Sequence, residues 1–232
     1  MKTMITVRHP NLVELYAAGI TDGYCWAAME FVDGESLTKV IERIGIAGML
    51  DWHETFRVAV HVARALAVAA EHKIIHRNVT PQNILRRSSD KVTKLGDLML
   101  AKALEGALAQ QVTQPGELLG ELPYMSPERT LGDPDAPVDC RSDIYELGAT
   151  LYALLTGRPP FEGPSLPKLV KDIREVRPKS PRSYHMAIPE AFEDVVLKML
   201  AKRPGDRYAT PGRLLADLES AGRYHRIDPA TL

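Results

Sequence analysis

The chain has 232 residues, 45% of them hydrophobic and 25% charged, with a formal net charge of −1. This is the profile of a globular protein long enough to bury a core, as one large domain or two small ones. The balanced charge carries no electrostatic footprint for nucleic acid or an anionic membrane, and the two distant cysteines, Cys25 and Cys140, argue against a disulfide scaffold or a zinc site.

The opening "MKTMITVRHPNLVELY" has no apolar run followed by a cleavage site, and no segment approaches the ~20 apolar residues of a membrane span. The expectation is a cytoplasmic chain with no membrane segment. "LVELYAAGI" and "YCWAAMEFV" flank Thr21-Asp22-Gly23, the pattern of a β-hairpin. "DGESLTKVIERIG" then opens a short helix, with Ser36 at the N-cap. Residues 51–72 form the clearest amphipathic helix: Asp51 caps it, Glu54 stands at capping-box spacing, and Phe56, Val60, Ala63 and Ala67 recur at helical intervals.

"NIL" and "KVTKLGD" read as short strands. Residues 103–125 are poor in regular signals, and a loop of that length in a compact domain is usually functional. "DIYELGATLYALLTG" is apolar almost all round, which predicts a buried helix ending at Gly157. "PSLPKLVKDIREV" and "PEAFEDVVLKMLAKR" are amphipathic. "TPGRLLADLESAG" starts with Thr210 as N-cap and Pro211 in the first helical position, where its missing N–H costs nothing. With no internal repeat or linker, the chain reads as α+β: a short strand-bearing start and a mostly helical body.

Several segments, taken in order, resemble a eukaryotic-like bacterial serine/threonine protein kinase. "RHPNLVELY" is similar to the strand after the regulatory helix and "MEFVDGESL" to the hinge between lobes. "HRNVTPQNIL" is similar to the catalytic loop, "LGDLMLAK" to the metal-binding DFG segment and "YMSPERT" to the end of the activation segment. "DCRSDIYELGATLYALLTGRPPF" is like the central buried helix, and "MLAKRPGDRYAT" like the segment before the last one. Their joint order carries the resemblance, since each alone has an ordinary reading as a turn, cap or surface charge.

The resemblance implies roles. Asp97 and Asn83 would bind Mg²⁺ through hard oxygen donors. The hinge at Glu30 and Val32 would meet the adenine edge, with Met29 as gatekeeper. His76 and Arg77 would frame the catalytic loop, with Arg77 facing the activation segment, and Asp143 would brace that loop. Glu128 and Arg207 would form a buried ion pair that fixes the substrate platform. Catalysis in such a site is mostly positioning and charge neutralisation.

Three positions depart from the family pattern. Asn78 stands where active relatives carry the catalytic aspartate, Thr80 where they carry a lysine, and Glu121 where they carry a threonine that contacts both. A carboxamide cannot take up the substrate hydroxyl's proton near neutral pH, and Thr80 brings no positive charge to the transferring phosphate. The DFG phenylalanine and glycine are Leu98 and Met99. The expected function is therefore a pseudokinase with absent or very weak transfer from ATP, serving as an interaction or regulatory module. The alternative is an active kinase with an atypical catalytic loop.

The resemblance further implies residues 1–32 as a remnant of the small lobe, 33–222 as the helical lobe and 223–232 as a tail. No Gly-rich loop or strand lysine precedes "RHPNLVELY", so the expectations are weak Mg-ATP binding, a start cut at an internal methionine, and a missing lobe or a partner protein over the strand edge. Thr113 is the one candidate phosphorylation site between Asp97 and Gly120. Arg77 could receive its phosphate, or could pair permanently with Glu117 or Glu121.

Overall fold

A computed structural model of the chain describes residues 7–22, 24–47, 50–97, 121–131 and 138–227. Leu98, Met99, Thr113, Glu117 and Gly120, together with Met1 and the turn glycine Gly23, lie outside the described residues. Strands β1 (Leu15–Thr21) and β2 (Tyr24–Met29) pair antiparallel, from Leu15 opposite Met29 to Thr21 opposite Tyr24. Strands β3 (Gly34–Ser36), β4 (Ile84–Arg87) and β5 (Thr93–Leu95) form a second antiparallel sheet in that order.

The His9-Pro10-Asn11 segment ties the two sheets together. The Leu95 N–H donates to the Asn11 carbonyl at 2.8 Å and the Val13 N–H to the Leu95 carbonyl at 2.9 Å, so Leu12 runs parallel beside β5. The buried Asn11 amide donates to the Thr93 carbonyl at 3.0 Å. Lys94 Nζ adds an ion pair to Glu30 at 2.9 Å and a hydrogen bond to the Leu12 carbonyl at 3.3 Å. An aspartate or serine at position 11 could not donate from an amide, and the Thr93 carbonyl would lose this partner.

Among the described residues there are six α-helices: α1 (Leu37–Ala47), α2 (Trp52–Glu71), α3 (Cys140–Thr156), α4 (Leu166–Glu175), α5 (Glu190–Met199) and α6 (Pro211–Tyr224). Asp51 caps α2 by accepting the His53 N–H at 3.2 Å. Glu54 does not close a capping box: its carboxylate lies 3.7 Å from Arg86 and 3.9 Å from Arg57, because two cations attract it more than one exposed N–H does. Gly157 ends α3 in the left-handed conformation, φ 74°, with its N–H on the Ala153 carbonyl at 2.8 Å. Thr210 accepts the Arg213 N–H at 3.3 Å to start α6 behind Pro211.

Helix α3 is the axis of the core. From Ser142 to Thr156 every residue is buried, including Asp143, Glu146 and Thr150. It approaches α5 closely, where a Cβ on Gly148 would stand 2.8 Å from the Cβ of Met199. Phe56 of α2 and Phe192 of α5 meet edge-to-face at 5.3 Å, and each buried ring contributes about 1.5–3 kcal/mol relative to exposure. This packing leaves the residue 76–83 loop lying against α3.

Candidate catalytic-loop site

Asp143, Glu146 and Thr150 stand three and four positions apart, on one stripe of α3. The stripe holds the loop by its backbone. Asp143 accepts the His76 N–H at 2.9 Å and the Arg77 N–H at 2.8 Å. Glu146 accepts the Val79 N–H at 3.0 Å, and Thr150 Oγ1 donates to the Val79 carbonyl at 3.3 Å. Four loop groups that would otherwise be orphaned in the interior are thereby satisfied.

Burial, then the Glu146 carboxylate, pushes the Asp143 carboxyl up to about 7, against the pull of the two loop N–H groups and Arg129. His76 is also buried, and burial lowers its pKa. The neutral ring is consistent with its bonds: Nε2 donates to the Gly96 carbonyl at 2.7 Å, and Nδ1 accepts the Asn78 N–H at 3.3 Å. Arg77 and Asp97 both have left-handed backbones, φ 65° and 58°, at a cost of about 1–3 kcal/mol each that the surrounding bonds must offset. The Arg77 side chain is exposed.

At the centre, Asn78 Nδ2 donates to Glu121 Oε1 at 3.2 Å. Glu121, considered above as a partner for Arg77, thus gives this oxygen to the loop. Asn83 Nδ2 donates to the Asn78 carbonyl at 3.1 Å. The Gly96 N–H donates to the Asn83 carbonyl at 2.8 Å and so brings the neighbouring Asp97 beside it. An amide oxygen and an exposed carboxylate fit Mg²⁺, which takes its remaining ligands from phosphate and water. Thr80 is only 3% exposed, and its hydroxyl has no hydrogen-bond partner among the described residues.

Glu128 and Arg207 form a two-pronged ion pair, both contacts at 2.8 Å. Ser142 Oγ donates to the same carboxylate at 2.6 Å, while Arg207 also donates to the carbonyls of Ala201, Arg141 and Lys202 and stacks on Tyr145. Burial works against the Glu128 charge, but Arg207 prevails and holds its pKa down to about 2.

In the hinge, Met29 ends β2 half-exposed, and the Glu30 N–H is used by the Glu14 carbonyl at 2.8 Å. The Glu30 carbonyl and the Val32 N–H have no backbone hydrogen-bond partner among the described residues. The Glu30 side chain is engaged by Lys94.

Two residues of this region were not legible in the sequence as site residues. Glu146 is fully buried, and it joins Arg129 to the Val79 N–H. A charge inside an otherwise apolar helix was the available signal, because a buried carboxylate requires a partner.

A family model described as protein kinase domain matches residues 1–216. The chain is 34% identical over 216 residues to serine/threonine-protein kinase PknB of Mycobacterium leprae, covering 91% of this chain and 33% of that protein. It is 33% identical over 220 residues to PrkC of Bacillus subtilis, covering 95% and 32%. The chain thus spans about a third of the length of the curated relatives it matches. Among solved structures, the Mycobacterium tuberculosis PknI kinase domain superposes with a TM-score of 0.68 at 26% identity, over 92% of this chain and 73% of that one. The arrangement of loop, stripe and ion pair, with these likenesses, establishes that the chain belongs to the bacterial-type serine/threonine protein kinase family, with its α+β protein-kinase fold.

Proposed function

We propose that the chain is a pseudokinase: a protein-kinase domain whose phosphoryl transfer is absent or very weak, and which acts as an interaction or regulatory module. The observation that carries this reading is Asn78. Its loop is framed by Asp143, Glu146 and His76, yet the group at the base position is an amide that donates to Glu121. An amide in that role cannot accept a proton, and loss of a general base costs about 10²–10⁴-fold. Thr80 adds no cation to offset this.

A second reading, an active kinase with an atypical loop, is favoured by Asn83 and Asp97, which the Gly96 N–H on the Asn83 carbonyl at 2.8 Å brings side by side. The kinase family uses Mg-ATP. The reading here is weak binding by this chain, through Asn83 and Asp97 on the metal side and the Glu30–Val32 hinge on the base side. Tyr16, Tyr24, Trp26 and Phe31 are exposed on or beside the β1–β2 hairpin, which supports the proposal that further polypeptide, from a small lobe or a protein partner, covers it. Balanced charge supports a protein rather than a nucleic-acid partner. Among the described residues no helix is long and apolar enough to cross a membrane.

The test is transfer of labelled phosphate from Mg-ATP to a generic protein acceptor. Wild type should stay at the blank. Asn78→Asp with Thr80→Lys and Glu121→Thr should gain at least about 10²-fold. Because Thr80 is buried, Asn78→Asp with Glu121→Thr is assayed alongside, with thermal unfolding as a folding check. Wild-type turnover at rates typical of protein kinases, about 1–100 s⁻¹, would sink the pseudokinase reading.

A further inference from the structure

The end of the activation segment and the catalytic loop are joined by two contacts made only of this chain's own charges and amides. In the first, the Asn78 amide donates to the Glu121 carboxylate at 3.2 Å across 43 positions of sequence. In the second, Arg129 pairs with Glu146, and the other oxygen of Glu146 holds the Val79 N–H at 3.0 Å. Asn78 and Val79 are consecutive, so residues 121 and 129 grip adjacent loop residues from the two ends of one short segment. Arg129 is one-quarter exposed and Glu146 is not exposed at all, which shields the second contact from salt. The Glu121 carboxylate also adds to the field that holds Arg129 charged.

The first contact has a direction. An amide donates and a carboxylate accepts, so the pair works only while one member is neutral. An aspartate at 78 would set two carboxylates against each other at hydrogen-bonding distance, where like charges repel strongly in a partly buried site.

We propose that Glu121 is an internal occupant of the donor side of the Asn78 amide and that, with Arg129, it clamps residues 121–131 onto the catalytic loop without phosphorylation or nucleotide. The Asn78 amide is held by the protein itself. The clamp closes this face of the loop and makes the segment part of the rigid helical lobe, a fixed surface rather than a switch. It also couples positions 78 and 121, so that restoring a carboxylate at 78 alone is harmful.

Amide hydrogen exchange and thermal unfolding of the intact chain test this, with and without phosphatase treatment and without nucleotide. In wild type, residues 121–131 and the Val79 amide should be protected equally in both preparations. Asn78→Asp should lower Tm by about 2–4 °C and speed exchange in 121–131 on the order of tenfold. Glu121→Gln, which keeps a carbonyl acceptor, should do little alone. Asn78→Asp with Glu121→Gln reverses donor and acceptor and should recover most of both losses. Should Asn78→Asp fail to fold, Glu121→Ala reads the same exchange. Arg129→Met should release the Val79 amide.

Additive effects of Asn78→Asp and Glu121→Gln would overturn the proposal. So would release of 121–131 by phosphatase, or unchanged exchange in Glu121→Ala. The proposal goes beyond the functional reading above: phosphoryl transfer by wild type would count against that reading, whereas the clamp stands or falls on exchange and coupling.

Discussion

Asp143 accepts the main-chain N–H groups of both His76 and Arg77, at 2.9 and 2.8 Å, from a position only 2% exposed. One carboxylate therefore satisfies two successive donors of the catalytic loop. Asp143→Ala leaves both without a partner, at about 1–3 kcal/mol each. Asp143→Asn keeps one acceptor and should fall between. Urea unfolding measures both, and an alanine variant within ~0.5 kcal/mol of wild type would show that the loop does not depend on this residue.

Asp143 and Glu128 should give pH dependences of opposite sign. Burial raises the Asp143 carboxyl from 3.8 to about 7, so the folded state binds the extra proton between those values. Its contribution to stability is full below about pH 4 and is lost as pH rises through 7. Arg207 overcomes burial at Glu128 and lowers that carboxyl from 4.5 to about 2, so its contribution is full above pH 4.5 and is lost as pH falls toward 2. Urea midpoints across pH should lose the acid limb in Glu128→Gln and the neutral-side decline in Asp143→Asn. Unchanged slopes in either variant would contradict the assignment.

Arg207 is buried against a carboxylate, three carbonyls and a tyrosine ring. Arg207→Ala strands the Glu128 charge and should cost about 3–5 kcal/mol. Arg207→Lys cannot reproduce the two-pronged geometry and should recover only part of that. Equilibrium unfolding decides, and equal stability of the lysine variant and wild type would mean that charge alone suffices.

Thr80 offers the converse case. Its hydroxyl is buried with no partner among the described residues, so it carries a desolvation cost and no bond. Thr80→Val keeps the shape and removes the hydroxyl, and should raise stability by about 1 kcal/mol. A drop in Tm would reveal a bond or a bound water at this hydroxyl.

Much of the fold was legible locally. The Asp51 and Thr210 caps, the Gly157 stop and the hairpin strands followed from residue types acting on neighbours within a few positions, which is the reach of capping and turn chemistry. The Glu54 capping box failed for a nonlocal reason, since Arg86 reaches it from strand β4. The Glu128–Arg207 pair was expected from family resemblance and is present, with contacts at 2.8 Å.

By itself, the sequence determined the order of strands and helices, the residue types at Asn78, Thr80 and Glu121 on which the pseudokinase proposal rests, and the family. Each is written in residue identity and short-range spacing. Only the tertiary structure decided that Asn78 and Glu121 are partners, that Glu146 links Arg129 to Val79, and that Thr80 is buried without a bond. Those relations join residues 17 to 67 positions apart. No periodicity encodes such distances, because the pairs meet only once α3 is packed into the core and the loop is drawn against it.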